Sequence, residues 1–214
     1  MMSDSVKEIV KQEFDNLEKP ISLKVFTSKN NCPTAADTVK LSKILTELSN
    51  GKISYEEISF DTQKELSAKY KVKWVPTIII EGSGVRYTGI PAGGEFAPFI
   101  RTLVMISTGH TELAHLKEKI KEIKKPIVVK TIVTSRCPHC PVSVLMANQI
   151  SIESDGVVIS DIVEGYQNQE IPMKYEVTGV PATIINGQKE FVGVPNVGKF
   201  VDKLIKVGSG SSSN

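Results

Sequence analysis

The sequence predicts an α/β protein built from two tandem copies of one unit, each a mixed four-stranded sheet flanked by helices. Three observations carry that prediction. Short β-branched runs alternate with helical periodicities along the chain, one ordered set of landmarks occurs twice, and a Cys-x-x-Cys stands between a strand and a helix in the second copy. Lys19-Pro20-Ile21 recurs as Lys125-Pro126-Ile127, and Cys32-Pro33 as Cys137-Pro138. Tyr70-x-Val72-x-x-Val75-Pro76 returns as Tyr175-x-Val177-x-x-Val180-Pro181, and Gly89-Ile90-Pro91 as Gly193-Val194-Pro195. The offset between copies moves only from 106 through 105 to 104 residues, and it slips in loops, where insertions are tolerated.

In order, residues 4 to 18 place Val6, Ile9, Val10, Phe14 and Leu17 on one helical face, with Ser3 or Asp4 as cap. Lys19-Pro20-Ile21 ends that helix. A strand over 21–26 leads through a loop at 27–31 to Cys32-Pro33-Thr34-Ala35 and a helix marked by Leu41, Ile44, Leu45 and Leu48, which Asn50-Gly51 stops. Residues 52–60 form a strand, 62–70 a short helix, 77–80 a strand entered through Trp74-Val75-Pro76, 86–88 its hairpin partner, and 95–105 a closing helix. The second copy opens with a helix carrying Leu113, Leu116, Ile120 and Ile123, and the boundary falls at Gly109-His110. Units of 1–110 and 111–207 follow. Asn186-Gly187 is a type I′ turn signal joining 182–185 to 190–192, and 208–214, rich in Gly and Ser, has the composition of a flexible tail. This element order is that of a thioredoxin fold.

The chain has 214 residues, 40% hydrophobic, enough for two cores. With 26 basic against 24 acidic side chains, the balance carries no nucleic-acid footprint. The lysine cluster at 117, 119, 121, 124 and 125 is interleaved with Glu118 and Glu122, as on a solvated helix face. No apolar run reaches the roughly 18 residues a membrane span needs, and the first ten residues read as a capped helix instead of a secretory signal. Three cysteines do not make a secreted disulfide framework, so the cytosol is the expected compartment. There a Cys-x-x-Cys means redox chemistry or metal. Structural zinc needs four ligands, and beyond the pair the chain offers only Cys32, His110, His115 and His139, with no second pair at metal spacing. No metal is expected; the redox group is the Cys137–Cys140 pair itself.

The stretch Ser135-Arg136-Cys137-Pro138-His139-Cys140-Pro141 follows a strand over 127–133 and precedes a helix marked by Val142, Leu145, Met146 and Ile150. Unpaired amides and the positive end of a helix dipole favour a thiolate on the first cysteine. Cys137 is therefore assigned as nucleophile and Cys140 as the covered, resolving thiol. Pro138 fits a first helical turn. His139, when protonated, favours the reduced state and moves the couple toward the oxidising end; the plainer reading is a tolerated loop residue. Val180-Pro181 is expected to lie against the dithiol, a cis proline exposing the Val180 backbone to an extended substrate segment. Glu164, at the end of a strand, is a candidate proton acceptor for Cys140, weighed against an ordinary surface glutamate. In unit one Ala35 replaces the resolving cysteine, so the degenerate site Cys32, Pro33, Ala35, Val75 and Pro76 cannot cycle through an internal disulfide. Cys32 is either a low-pKa monothiol or part of a retired site.

These residues resemble the protein disulfide oxidoreductases of thermophilic archaea and bacteria, two-unit, glutaredoxin-like relatives of protein disulfide isomerase. The likeness runs from Val6 to Ile205 and includes Gly84-Val85-Arg86-Tyr87-x-Gly89-x-Pro91-Ala92-Gly93, then Glu95-Phe96, and Cys140-Pro141 leading into Val144-x-Met146-Ala147. The resemblance implies a cytosolic enzyme that makes, breaks or reshuffles disulfides in substrate proteins, recharged by a flavin-dependent thioredoxin reductase. Ala35 departs from the usual pattern of two complete sites, which bears on isomerisation. A dead first unit with a live second also resembles the N-terminal region of the flavin-dependent peroxiredoxin reductase; the lack of a Gly-x-Gly-x-x-Gly fingerprint speaks against that alternative. From another class comes a peptide-binding scaffold in which both Val-Pro grooves hold extended segments.

Overall fold

The computed structural model describes residues 2–30 and 32–209. Helix α1 (Asp4–Asp15) is capped by Ser3, whose hydroxyl accepts the Val6 amide at 3.4 Å. It buries Val10 and Phe14 but leaves Ile9 59% exposed. Val6, Val10 and Phe14 follow one another four apart, and Ile9 is turned roughly 100° off that line. Unit one continues with β1 (Ile21–Thr27), α2 (Ala35–Leu48), β2 (Ile53–Ser59), α3 (Lys64–Lys69), β3 (Thr77–Ile80), β4 (Val85–Thr88) and α4 (Phe96–Thr108). Unit two has α5 (Lys117–Ile120), β5 (Ile127–Val133), α6 (Cys140–Glu153), β6 (Val158–Glu164), α7 (Glu170–Lys174), β7 (Ala182–Ile185), β8 (Gln188–Val192) and α8 (Val197–Ser209).

Two expectations are corrected here. The helix expected at the start of unit two is only a 3₁₀ turn at Ala114–Leu116 followed by the single turn α5. Its first amides are taken by a side chain of α6: Gln149 Oε1 accepts from Glu112 N at 2.7 Å and Leu113 N at 3.1 Å. Ile120 and Ile123 still reach the core from this irregular segment. The closing helix runs through Ser209, so Gly208 and Ser209 belong to it and not to a tail; residues 210–214 lie outside the described residues. The Asn186-Gly187 turn has φ of 46° and 86° at its two central positions, as a type I′ turn requires.

Each unit contributes four strands. In both, a parallel pair (β1/β2, β5/β6) continues antiparallel into the third and fourth strands. The two sheets are one. β4 pairs parallel with β6, Val85 opposite Ser160 through Thr88 opposite Val163, giving the order β2-β1-β3-β4-β6-β5-β7-β8. Edge strands of the two units thereby lose their unpaired backbone to each other.

The seam is packed tightly. Gly84, at φ +76°, enters β4, and a Cβ there would stand 2.7 Å from Ser151 Oγ and 2.9 Å from Gly156 Cα. Gly84→Ala is expected to cost about 2 kcal/mol, roughly 4–8 °C in Tm, through clash and left-handed strain together; thermal melting measured by circular dichroism checks it. Behind the strands, the buried Asn148 of α6 spends both amide hydrogens on unit one, on Tyr87 Oη and Thr102 Oγ1 at 2.9 Å each, while its Oδ1 accepts from Ser160 Oγ at 2.7 Å. A fully satisfied buried amide of this kind fixes the register of the two units. The main apolar cluster crosses the seam as well, joining Leu23, Ile78, Tyr87 and Phe99 to Val133, Cys140, Val144 and Ile162.

Candidate active site

β5 delivers the chain to a turn in which the Cys137 amide donates to Thr134 O at 3.1 Å. Cys140 begins α6 and is fully buried; Cys137 is half-buried. The two are joined as a disulfide with Cα atoms 5.5 Å apart. The Cys140 amide, one of the first N–H groups of α6, points at Cys137 Sγ at 3.1 Å. A thiolate formed at Cys137 on reduction meets that donor and the positive helix end together.

His139 is the capping residue of α6, exposed, with no side-chain cap bond. Pro138 is exposed in the preceding turn and does not enter the helix; Pro141 takes the place in the first turn expected for it. Both Val75–Pro76 and Val180–Pro181 are cis, and the Val180 carbonyl oxygen lies 3.7 Å from Cys137 Sγ. Beside Val180 opens a groove of about 560 Å³ bounded by Ile132, Tyr166, Met173 and Val177. Tyr166 and Met173 there, with Val142 on α6 and Val194 after β8, are among the few large apolar side chains left exposed.

Glu164 is not a surface glutamate: it is 5% exposed at the end of β6. Its Oε1 accepts the Ser135 amide at 3.2 Å, and its Oε2 accepts the Gln167 amide at 2.8 Å. It faces a second acid that sequence reasoning gave no role. Glu95, from the 3₁₀ turn Gly93–Glu95 of unit one, is 1% exposed and has no hydrogen-bond partner for either oxygen. Burial, with the neighbouring Glu164 second, pushes its carboxyl up to about 7. The two share a cavity of about 10 Å³ with Val133 and Ile162, close to the room one water takes, and those two side chains pack in the same cluster as Cys140.

Unit one also touches the turn directly: the Gly94 amide donates to Ser135 O at 3.0 Å. A Cβ on Gly93 would stand 2.8 Å from that oxygen, so this approach needs glycine. One signal in the sequence points at Glu95. At the offset that aligns Gly89-Ile90-Pro91 with Gly193-Val194-Pro195, Glu95 falls opposite Lys199, an acid where its sister copy has a base.

The degenerate site keeps its cis proline but not its chemistry. Ala35 begins α2 where Cys140 begins α6, and burial pushes the half-buried Cys32 thiol up, outweighing the Ser28 and Ala35 amides that lower it. That direction runs against the low-pKa monothiol expected as one reading. Among the described residues no group of three or more His, Cys, Asp or Glu is placed to hold a metal, and no helix is long and apolar enough to cross a membrane.

Compared with known proteins, residues 128–206 match the thioredoxin domain family. The crystal structure of a protein disulfide oxidoreductase from Aeropyrum pernix superposes with a TM-score of 0.88 at 31% identity, covering 99% of this chain and 96% of that one. This chain belongs to the protein disulfide oxidoreductase family. It is a thiol–disulfide oxidoreductase with two thioredoxin-like units. Two longer relatives align over nearly all of it: an NADH dehydrogenase of Bacillus subtilis, 24% identical over 100% of this chain, and an alkyl hydroperoxide reductase component of Staphylococcus aureus, 22% identical over 95%. The chain spans 39% and 38% of their lengths. In this oxidoreductase the Gly84 to Glu95 run that marks the resemblance follows the seam: Gly84 abuts α6, and Glu95 shares a cavity with Val133, Ile162 and Glu164 of the other unit.

Proposed function

We propose that the chain exchanges disulfides with substrate proteins through Cys137 as nucleophile and Cys140 as resolving thiol, both in the unit spanning 111–207. The observation that carries this is the 3.1 Å approach of the Cys140 amide to the sulfur of the half-buried Cys137, with Cys140 itself enclosed. Cys137 thiolate attacks a substrate disulfide, forming a Cys137–substrate bond and releasing one substrate thiolate. Cys140 then loses its proton and attacks Cys137 Sγ, closing the Cys137–Cys140 bond and releasing the second substrate thiolate, which is protonated; the substrate gains two electrons. In reverse the same steps oxidise a substrate dithiol.

Glu95, which shares the small cavity with Glu164 beside the Val133 and Ile162 side chains that pack with Cys140, takes the proton of Cys140, while Glu164 holds the turn. An acid ionising near 7 is matched to accepting and returning a proton at neutral pH. Pro138 and His139 shape the exposed rim. The substrate segment lies extended along Val180 and Pro181, its neighbouring apolar side chains in the groove beside Met173. Unit one, 1–110, with Cys32, Pro33, Ala35, Val75 and Pro76, acts as the scaffold that supplies Glu95. The enzyme works in the cytosol, recharged by a flavin-dependent thioredoxin reductase.

A redox titration tests this. In glutathione buffers the Cys137/Cys140 pair is expected to interconvert reversibly as a two-electron couple, while Cys32 stays outside it. A pair that remains inert in both directions overturns the reading. The alignment with the hydroperoxide reductase component over 95% of the chain favours one second reading, an electron-transfer module of a peroxiredoxin-reducing system. Rapid reduction of a peroxiredoxin in preference to protein disulfides distinguishes it.

A further inference from the structure

Ser135 lies two residues before the nucleophile, and both of its main-chain polar atoms are held. Its amide donates to Glu164 Oε1 at 3.2 Å, and its carbonyl accepts from the Gly94 amide of unit one at 3.0 Å. The two holders belong to separate segments, the last residue of β6 and the 3₁₀ turn after β4. Two consecutive side chains tie those segments together. Gln167 Oε1 accepts from Ile90 N at 3.1 Å and from Thr34 Oγ1 at 3.0 Å, while its Nε2 donates to Ile90 O at 3.5 Å. Asn168, 7% exposed, donates from Nδ2 to Thr88 O and to Glu164 O, both at 3.2 Å. The Gln167 backbone amide grips Glu164 Oε2 at 2.8 Å.

We propose that Gln167 and Asn168 are positioning residues for the Cys137–Cys140 couple. They lock the Thr88–Gly94 segment of unit one to the Glu164 loop of unit two, so that Ser135 is gripped from both sides and Cys137 Sγ is held against the first amide of α6. Thr34 gives the degenerate site a part in the same clamp: the residue standing where unit two has His139 donates its hydroxyl across the seam. The clamp acts on the reduced state most, because a thiolate gains from the N–H contact more than a disulfide sulfur does. Loosening it favours the disulfide.

The inference rests on Cys137 and Cys140 being the working couple, so the wild-type equilibrium with glutathione is measured first, in which the Cys137–Cys140 bond breaks, two glutathione thiols are oxidised to one glutathione disulfide, and two protein thiols form. Gln167→Met combined with Asn168→Ala is expected to shift that equilibrium roughly threefold to tenfold toward the protein disulfide, the scale of one ordinary hydrogen bond, and to lower the thiolate fraction of Cys137 at pH 7, read by ultraviolet absorbance. Gln167→Met and Thr34→Val, both on the outer side of the seam, keep the test alive if the double variant does not fold. Each is expected to shift the equilibrium in the same direction by a smaller factor, with Thr34→Ser restoring the wild-type value. Equilibrium and thiolate fraction within twofold of wild type in every folded variant overturn the clamp. A wild-type pair that never equilibrates with glutathione overturns instead the reading beneath it.

Discussion

Replacing Cys137 by alanine abolishes thiol-dependent reduction of insulin, a loss on the order of a thousandfold or more, since no other sulfur among the described residues combines helix N–H contact with a second cysteine able to resolve the mixed disulfide. Cys32 does not substitute for it: burial pushes its thiol up, and Ala35 stands where a resolving thiol is needed. Cys140→Ala behaves differently. The first exchange proceeds, the second has no attacking sulfur, and substrate accumulates on Cys137 as a mixed disulfide detectable by mass spectrometry without reductant. Insulin turbidity for the first variant and trapped adduct for the second are the measurements. Full activity in Cys137→Ala contradicts the assignment of the whole site.

Glu95→Gln has the second largest expected effect, and it separates stability from catalysis. In the unfolded chain Glu95 ionises near 4.5, and in the fold only near 7, mainly because it is buried. A raised carboxylate pKa means the folded state holds the proton more tightly. The contribution is neutral to stability below pH 4.5, where both states are protonated, and stability is lost as pH rises from 4.5 to 7. At pH 8 the accumulated cost is on the order of 3 kcal/mol for a side chain this enclosed. Glu95→Gln removes it, so the variant is expected to melt higher than wild type at pH 8 and close to it at pH 4. Catalysis moves the other way. Resolution of a preformed mixed disulfide slows by about a hundredfold, and the inflection near pH 7 in its rate disappears. Equal resolution rates with an unchanged pH profile remove Glu95 from the mechanism even if the melting shift is seen.

Ile9 and the segment from Thr111 to Ile123 show where periodicity misleads. Both carry apolar residues at helical spacing, but spacing does not state which stripe meets the core, nor whether a side chain such as Gln149 will take the first amides and cut a helix short. Glu164 shows the same limit for a polar residue. At a strand end it is indistinguishable by sequence from a solvated acid, and it becomes buried because the loop after β6 folds under unit one.

Legible in the bare chain were the two-fold repeat, the element order within each copy, the single complete Cys-x-x-Cys at the head of a helix and the paired Val-Pro steps. All of these are local patterns, repeated at nearly constant offset, and local sterics and capping suffice to read them. Long-range packing was needed to establish that the two sheets are one and that residues of unit one lie against the turn that carries Cys137. The parallel pairing of β4 with β6 joins edge strands some seventy residues apart in sequence, and no local pattern encodes which edges meet. That pairing places Glu95, Gly94 and the Thr88–Ile90 turn against Glu164, Ser135 and the Gln167-Asn168 clamp. The dithiol is written in the chain; the buried acid pair and the contacts around Ser135 arise from the seam.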